Sequence, residues 1–380
     1  MEILEDKPIV LFILDTLEIG GAERSILEIS SRFKRYKPIV VTLFKGSHLK
    51  NEYNQRGIEV ISLDLENGTK QSFIKEELDK IVSRIKPLII HATLIRSCLV
   101  SRKLNRDNKY VLINSLVNNT YGIQRYKTLP LIRALKLLYI QIRDAKSSSK
   151  VDFYFSNSET IKKTTSTALG LNPDKIKVIY RGRDPEIFDQ LNVEKQPINL
   201  SEDHIDLFIC VGRLIKRKGQ LDLVDAFAKH IIKYPDSKLI LVGEGPLRKE
   251  LETKITRLNL KDKVELLGQR SDVPELLSKS SYFIFPSYYE GLPGALVEAM
   301  FSMTPIIASN IPENLECINK EISLIFEPGN IQDLVSKMDK AKSIDWDGKL
   351  DLAYRKALND FSINKIVDEY ELTYDQLLEK

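Results

Sequence analysis

Long hydrophobic runs are missing from this chain of 380 residues. No apolar stretch approaches the roughly 20 residues that a helix needs to cross a bilayer. Residues 1–6 contain three acids and no base, which is the wrong charge for the start of a signal peptide. The sequence therefore predicts a protein that stays in the cytoplasm.

Cysteine and histidine are scarce as well, with three and four residues respectively. Cys98, Cys210 and Cys317 are odd in number, lie far apart and each occupy an apolar stretch, so buried free thiols are expected rather than disulfide bonds or a metal site. Asp345 and Asp347 have the spacing of a metal-binding acidic pair, but their position late in the chain favours a helix cap. The sequence thus predicts no metal site and no cofactor.

The charge of the chain is divided unevenly. The formal net charge is +4, yet residues 1–190 hold 32 Lys/Arg against 22 Asp/Glu, a net of +10, and the remainder holds 25 against 31, a net of −6. Much of the positive excess lies in residues 96–109 and 125–150, and the second stretch alternates apolar residues with bases such as Arg133 and Lys136.

Two interpretations of the stretch 125–150 remain open. A basic amphipathic helix can lie on an anionic membrane face, which would place the protein peripherally on the inner face of the cell membrane. Alternatively, its apolar stripe packs on the sheet of its own domain and its charges are merely solvated. Neither basic stretch has a recognised nucleic-acid-binding motif, so nucleic acid is not expected as a partner.

Strand and helix patterns alternate along almost the whole sequence. Apolar strands are predicted at residues 9–14, 39–44, 60–63, 88–91, 110–116, 153–156 and 177–180, and a second alternation runs from residue 207 to about residue 338. Such alternation predicts an α/β protein with parallel sheets covered by helices on both faces. A length of 380 residues favours two domains, and the polar, aperiodic segment 190–203 is the predicted linker.

The segment 290–298 carries the most specific chemical signal. Glu290 and Glu298 flank a glycine-containing turn, at the point where the apolar strand 282–285 gives way to a helix. A helix N-terminus presents unpaired backbone N–H groups that suit a phosphate, whereas carboxylates suit hydroxyl groups. A ligand with a central diphosphate and hydroxyl-rich ends, such as a nucleotide-sugar, fits this arrangement.

Five motifs together resemble the retaining glycosyltransferases of family 4. They are Gly212-Arg213 with Lys218-Gly219, then the segments 242–246 and 290–298, the glycine-rich turn 20–24 and the segment 181–188. The resemblance spans nearly the whole chain and implies the GT-B fold, in which two Rossmann-like α/β/α domains face each other across a cleft. It implies an acceptor-side domain at 1–189, a nucleotide-sugar-binding domain at 204–360 and a final helix, 361–380, that crosses back to the first domain.

The resemblance also implies roles for individual residues. Arg213 and Lys218 are expected to act as electrophilic catalysts on the leaving diphosphate, although Lys216 and Arg217 are close neighbours of this pair. Together with Glu290, which is expected to bind the donor sugar, they form the predicted catalytic set. The predicted donor-binding residues are Gly20, Gly21, Gly212, Gly243, Arg270, Val273, Gly291, Leu292, Gly294, Ala295, Leu296 and Glu298.

Departures from the family pattern concern the acceptor side. Asn118 and Asn119 stand where family members often have a histidine, and asparagine cannot act as a base at neutral pH. His91, at the end of a predicted strand, is as compatible with a structural role as with acceptor binding. The segment 181–188 has Arg181 and Arg183 where asparagine and an aliphatic residue are more usual.

The expected reaction is metal-independent, retaining transfer of a hexosyl or N-acetylhexosaminyl group from a nucleoside-diphosphate sugar. UDP is the expected nucleotide, and a glycan or lipid-linked acceptor at the cytoplasmic membrane face, in polysaccharide biosynthesis, is the expected partner. Two alternatives remain: a catalytically idle nucleotide-sugar-binding subunit, and a transferase with a soluble small-molecule or protein acceptor. Residues 243–248 lack the third glycine of a dinucleotide fingerprint, which disfavours an NAD enzyme.

Overall fold

A computed structural model describes residues 7–107, 109–193 and 205–379. The described chain forms two compact units: the first comprises the residues up to Gly182 together with those from Ile363 onward, and the second runs from Arg183 to Ser362. Most of the predicted linker 190–203 lies outside the described residues. Its first four residues form the last turn of a helix.

The first unit contains a parallel sheet of seven strands in the order β3-β2-β1-β4-β5-β6-β7. Phe12 of the first strand pairs with Val40 on one side and with His91 on the other. The strand order therefore reverses between β1 and β4, and ligands of open α/β sheets bind beyond the carboxyl ends of the strands at such a point. The strands are β1 (Ile9–Leu14), β2 (Lys37–Phe44), β3 (Glu59–Leu65), β4 (Ile89–Thr93), β5 (Val111–Leu116), β6 (Phe153–Ser156) and β7 (Ile176–Val178).

Helices connect these strands, since parallel neighbours need a crossover connection. The strands are apolar and largely buried because helices cover the sheet. The helices are α1 (Gly21–Ser30), α2 (Lys50–Gln55), α3 (Gln71–Ile85), α4 (Ile95–Ser101), α5 (Ile123–Thr128), α6 (Leu131–Ser147) and α7 (Glu159–Leu169).

The second unit repeats the architecture with six parallel strands in the order β10-β9-β8-β11-β12-β13. Its strand order reverses between β8 and β11. The strands are β8 (Leu207–Val211), β9 (Lys238–Val242), β10 (Val264–Gly268), β11 (Tyr282–Phe285), β12 (Ile306–Ser309) and β13 (Leu324–Phe326). The helices are α8 (Pro185–Val193), α9 (Gln220–Lys233), α10 (Arg248–Arg257), α11 (Val273–Ser278), α12 (Gly294–Phe301), α13 (Pro312–Cys317), α14 (Ile331–Ala341) and α15 (Asp347–Phe361).

The last helix, α16 (Ile363–Leu378), belongs to the first unit although it follows the second in sequence. Its buried side chains, among them Ile366 and Tyr374, join the core around β1. Glu371 accepts hydrogen bonds from the backbone N–H groups of Lys34 at 2.8 Å and Arg35 at 2.7 Å. These contacts fasten the end of the chain to the loop after α1.

The α/β fold with two parallel sheets is confirmed, and all seven strands predicted for the first half are found within two residues of their predicted ends. Cys98, Cys210 and Cys317 are buried and have free thiols, as predicted. Burial raises the pKa of Cys98 and Cys210 to about 12, so both thiols stay protonated at neutral pH. No helix in the described part of the chain combines the length and apolarity needed to cross a membrane.

Candidate functional site

A buried carboxylate held by two cations lies at the carboxyl edge of the second sheet. Glu290 follows β11, and its side chain is 5% exposed. Lys218 Nζ lies 2.6 Å from one carboxylate oxygen of Glu290, and Arg217 Nη1 lies 2.8 Å from the other. Two positive charges on one acid leave this cluster with net positive charge, which suits a polyanionic ligand.

The cluster keeps Glu290 ionised. Burial by itself would raise the pKa of Glu290, but the charges of Lys218 and Arg217 outweigh it, so that the pKa lies below its ordinary value of 4.5. A carboxylate with a depressed pKa is a weak base at neutral pH. Glu290 is therefore suited to holding cations and accepting hydrogen bonds rather than to removing a proton.

A tight turn at residues 216–218 brings the two cations to this edge. The turn ends at Gly219, whose φ of +69° is a left-handed conformation, and a Cβ there would lie 2.2 Å from the Pro286 carbonyl oxygen. Gly243 at the end of β9 allows a similarly close approach, because a Cβ there would lie 2.2 Å from the Gly212 carbonyl oxygen. The glycines named by the sequence motifs thus let neighbouring strand ends meet.

Arg213 lies beside this cluster in the chain, directly after Gly212 at the end of β8, with an exposed side chain. Its carbonyl oxygen accepts a hydrogen bond from Gln220 Nε2 at 3.0 Å, which fixes the backbone. Among the described residues its guanidinium forms no ion pair. Its donors therefore remain available for a ligand.

The N-terminus of α12 supplies backbone donors at the same strand end. Gly294 and Ala295 begin the helix, where the first-turn N–H groups have no intrahelical acceptor. The Leu296 N–H donates instead to the Pro293 carbonyl at 3.0 Å, and the Leu296 side chain is buried. Gly294 and Ala295 are thus better placed than Leu296 to bind a phosphate.

Gly291 and Leu292, two further predicted donor-binding residues, lie in the turn before α12. Leu292 is buried, and Gly291 is half-buried. The buried leucine anchors the turn that carries Glu290 on one side and the helix on the other.

Glu298 points back toward the start of α12, where Arg183 pairs with it. Arg183 Nε lies 2.7 Å from a Glu298 carboxylate oxygen, and the guanidinium packs against Gly294. A ribose that binds Glu298 must therefore share this carboxylate with Arg183 or replace it. The sequence motif singled out Arg183 as a departure from the family pattern without indicating this contact.

Arg270 and Val273, two of the predicted donor-binding residues, follow β10. The Arg270 side chain is exposed and pairs with its neighbour Asp272, with Nη2 2.5 Å from the carboxylate, while Val273 begins α11. The hydrogen bond from Arg270 holds the pKa of Asp272 below its ordinary value.

In the first unit, Gly20 and Gly21 stand at the start of α1. The Glu23 carboxylate packs against Gly20, and the Arg181 guanidinium packs against Gly21. Burial raises the pKa of Glu23, an effect that neighbouring backbone N–H groups and Arg181 partly offset. Glu23 has the position of the acid in a capping box, three residues after the N-cap, but the N-cap Gly20 has no side chain to complete the motif.

His91 is fully buried within β4. Its Nδ1 lies 2.7 Å from the Tyr374 hydroxyl of α16 and its Nε2 lies 2.7 Å from Ser115 Oγ. Burial lowers the pKa of His91 to about 3, so the ring is neutral. With both nitrogens engaged by the protein, the geometry favours the structural alternative over acceptor binding.

Asn118 lines a cavity of about 240 Å³ at the carboxyl ends of β1, β4 and β5, whereas Asn119 packs against Gly122 beside it. Asp15 and Arg125 also line this cavity. It lies where the strand order of the first sheet reverses, which is the expected place for a ligand.

Two residues of the cavity wall, Asp15 and Leu94, were not predicted from the sequence as site residues. Burial raises the pKa of Asp15, whose Oδ1 accepts hydrogen bonds from the Ser97 N–H at 2.9 Å and hydroxyl at 2.6 Å. Leu94 has a φ of +78°, a left-handed conformation that is costly for a leucine and that clusters at functional sites.

No group of three or more His, Cys, Asp or Glu side chains arranged to hold a metal ion occurs within residues 7–107, 109–193 and 205–379. Asp345 accepts a hydrogen bond from the Asp347 N–H at 3.2 Å where α15 begins, but the N-cap residue of this helix is Trp346, whose side chain makes no capping hydrogen bond.

Comparison with protein families gives two matches that together cover most of the chain. The model of glycosyltransferase family 4 matches residues 19–187, and the model of the glycosyl transferases group 1 matches residues 193–358. The first match contains the glycine-rich turn at Gly20, and the second contains the cluster around Glu290.

Similar proteins include both uncharacterised and named transferases. An uncharacterised glycosyltransferase of Methanocaldococcus jannaschii is 28% identical over 64% of this chain and 61% of its own length. The Escherichia coli UDP-Gal:α-D-GlcNAc-diphosphoundecaprenol α-1,3-galactosyltransferase is 31% identical over 64% of each chain. The chain therefore spans somewhat less than two thirds of the length of these relatives.

Among solved structures, Anabaena HepE in complex with UDP has a TM-score of 0.79 and 21% identity over 97% of this chain and 99% of its own. At this level of identity the likeness establishes the fold. The fold is GT-B, as the sequence predicted.

Proposed function

This chain belongs to glycosyltransferase family 4, and we propose from this premise that it transfers a sugar, with retention, from a UDP-sugar to a lipid-linked glycan. The observation that carries the proposal is the arrangement of Lys218, Arg217 and Glu290 beside the N-terminus of α12. The charged cluster and the N-terminus of α12 lie at the carboxyl edge of a doubly wound sheet, where such folds bind nucleotides.

The excess positive charge supplies what the reaction needs. When the bond between the anomeric carbon and the diphosphate breaks, negative charge grows on the leaving phosphate oxygen. Lys218 and Arg213 are assigned to this oxygen as electrophilic catalysts, and the amides of Gly294 and Ala295 are assigned to the diphosphate. Glu290 holds Lys218 in position and accepts hydrogen bonds from the donor sugar.

Retention is supported by the lack of a strong base among the groups that we assign to the site. Glu290 is held ionised by two cations, and Asn118 cannot accept a proton at neutral pH. In a front-face displacement the acceptor oxygen bonds to the anomeric carbon as the carbon–phosphate oxygen bond breaks. The acceptor proton passes to the departing diphosphate, so no base from the protein is required.

Donor and acceptor classes rest on the relatives. The E. coli relative is named for transfer from UDP-Gal to a diphosphoundecaprenol-linked sugar, and HepE was solved with UDP. We assign this chain a UDP-linked hexose or N-acetylhexosamine and a polyprenyl-diphosphate glycan. This acceptor is presented at the cytoplasmic face of the membrane, where polysaccharide repeat units are assembled.

The test is a donor screen followed by product analysis. Purified protein is mixed with UDP-, GDP-, ADP- and TDP-sugars, binding is measured by thermal shift, and transfer to a short-chain polyprenyl-diphosphate sugar is followed in chelator. The expected product keeps the anomeric configuration of the donor, as seen by NMR. An inverted product, or activity that returns only with magnesium or manganese, contradicts the proposed mechanism, whereas binding without any product identifies an idle nucleotide-sugar-binding subunit.

A further inference from the structure

Large hydrophobic side chains are exposed on one short part of the first unit. Of the 18 that are exposed in the described residues, seven lie between Ile123 and Ile142. Leu131 and Ile132 are 76% and 71% exposed. Contiguous apolar surface of this kind marks an interaction site in a soluble domain, whereas scattered exposed residues need no explanation.

The exposed residues of α6 form one stripe. At 3.6 residues per turn they fall within an arc of roughly 120° on the helix, and the buried side chains occupy the opposite arc. The stripe consists of Leu131, Ile132, Leu135, Leu138, Tyr139 and Ile142. The apolar stripe seen in the sequence therefore faces solvent and not the sheet, which excludes the second of the two interpretations left open above.

The opposite face of α6 is fixed to the protein interior. Asp144 pairs with the buried Arg102 at 2.5 Å and accepts a hydrogen bond from the Tyr121 hydroxyl at 2.7 Å. Leu137 packs with Leu169 of α7. Because its inner face is held by an ion pair and by apolar contacts, α6 presents its outer stripe in a defined orientation.

The charge around the stripe has one sign. Lys127, Lys136 and Lys146 are exposed and form no ion pair with any residue that the structure describes. Asp144, which faces inward, is the sole acid among residues 123–147. The outer surface of α5 and α6 therefore combines apolar insertion residues with unneutralised cations.

We propose that this surface, the exposed stripe of α6 with Ile123 and the three bases Lys127, Lys136 and Lys146, docks the protein on an anionic lipid bilayer. Basic amphipathic helices lie in the membrane interface with their apolar side chains in the acyl region and their cations at anionic headgroups. A second copy of this chain is a poorer occupant, because a symmetric contact would place the same bases against each other. The inference deepens the proposed function, on which it rests, by naming how the protein reaches a lipid-linked acceptor.

The experiment is co-sedimentation of the full chain with vesicles of phosphatidylcholine, with and without phosphatidylglycerol, at low and high salt. The unchanged protein should bind the anionic vesicles at low salt and bind them less at high salt. Lys136→Glu with Lys146→Glu should weaken binding more than about 100-fold, since each basic residue near an anionic surface contributes about fivefold and each reversal counts twice. Leu131→Ser with Leu135→Ser should weaken it at least about tenfold at either salt concentration.

Matched control variants change the charge or the exposed apolar surface of the second unit instead. Lys229→Glu with Lys249→Glu gives the same net charge from exposed lysines of the second unit, and Ile232→Ser removes an exposed apolar residue of α9. Both controls should bind anionic vesicles as the unchanged protein does. No binding at low salt, or equal losses in the α6 variants and the controls, overturns the proposal. A dimer that Leu131→Ser with Leu135→Ser dissociates, without vesicle binding, assigns the surface to a second copy and also overturns it.

A transfer assay with a short, water-soluble acceptor and no vesicles distinguishes a failure of membrane docking from a failure of the proposed function. The α6 variants should retain that activity, since none of their residues lies in the assigned site. Activity without vesicle binding refutes the docking surface alone. Vesicle binding without activity on any donor refutes the proposed function alone.

Discussion

Each unit contains a buried carboxylate that pairs with basic side chains, and the two carboxylates differ in the number of cations that they bind. Asp144 pairs with one cation, Arg102, and its second oxygen accepts a hydrogen bond from Tyr121. Glu290 has two cations, Lys218 and Arg217. The first cluster is neutral, and the second has net positive charge.

This difference separates a structural ion pair from a site. The Asp144 cluster also lines the cavity of the first unit, but its two charges are paired with each other and fix α6, so it has no net charge for a ligand. The Glu290 cluster lies beside unpaired helix amides and the exposed Arg213. Its net positive charge is neutralised only when an anionic ligand binds. Removing a cation should therefore lower stability in the first cluster and turnover in the second.

The largest expected effect is on the neutral cluster. Arg102→Ala leaves Asp144 buried without its cation, and breaking a buried pair in this way typically costs about 3–5 kcal/mol of stability. The measurement is urea unfolding followed by circular dichroism. Arg102→Met with Asp144→Leu removes both charges and should recover most of the loss; a double variant as unstable as the single one contradicts the role of the ion pair.

In the positive cluster, Lys218→Ala should lower kcat by about 10²–10³, the usual effect of losing one donor that stabilises developing charge. Its stability should change little, because Arg217 remains on Glu290. Initial rates of UDP release from the best donor measure this. Lys216→Ala is the matched control, since Lys216 is exposed in the same turn and forms no ion pair with the described residues; equal rates in the two variants would remove Lys218 from catalysis.

Much of the fold could be predicted because its signals are local. Each strand is a short apolar run, Gly243 marks the end of β9, and Gly219 marks the turn before α9 that carries the two cations. The segment 290–298 identified the start of α12 for the same reason: a glycine-broken turn follows an apolar strand. Parallel packing of such elements is the expected outcome of their alternation.

Contacts between distant residues could not be predicted. His91 follows the pattern of a strand-end residue, and only the return of α16 brings Tyr374 to it from 283 positions away. Residues 216–218 are all basic, and spacing alone does not tell which of them reach Glu290. An amphipathic stripe has the same pattern whether it faces a sheet or water, so the exposure of α6 required the structure.

A smaller effect is expected from Glu290→Gln, which removes the negative charge and leaves Lys218 and Arg217 to repel each other. Both cations retain some solvent contact, so the cost is about 1–3 kcal/mol at pH 7. The pKa of Glu290 is depressed in the folded state, so its contribution is present above pH 4.5 and is lost as the pH falls further. Unfolding free energies at several pH values should therefore show the gap between the two proteins narrowing below pH 4.5; a constant gap would show that the charge of Glu290 does not matter.

The effect that is smallest at pH 7 concerns His91, a buried side chain with no charge. Its pKa is about 3 in the folded protein and about 6.5 in the unfolded chain, so the unfolded state binds the proton first. Stability is therefore complete above pH 6.5 and falls by up to about 1.4 kcal/mol per pH unit as the pH drops toward 3. His91→Gln keeps hydrogen-bonding groups but does not titrate, so its unfolding free energy should depend less steeply on pH between pH 6.5 and 4.5. His230→Gln measures the contribution of His230, another histidine whose pKa is lowered. If His91→Gln leaves the slope unchanged, the ring is charged or solvated in the folded protein, and a site on the acceptor side becomes its better assignment.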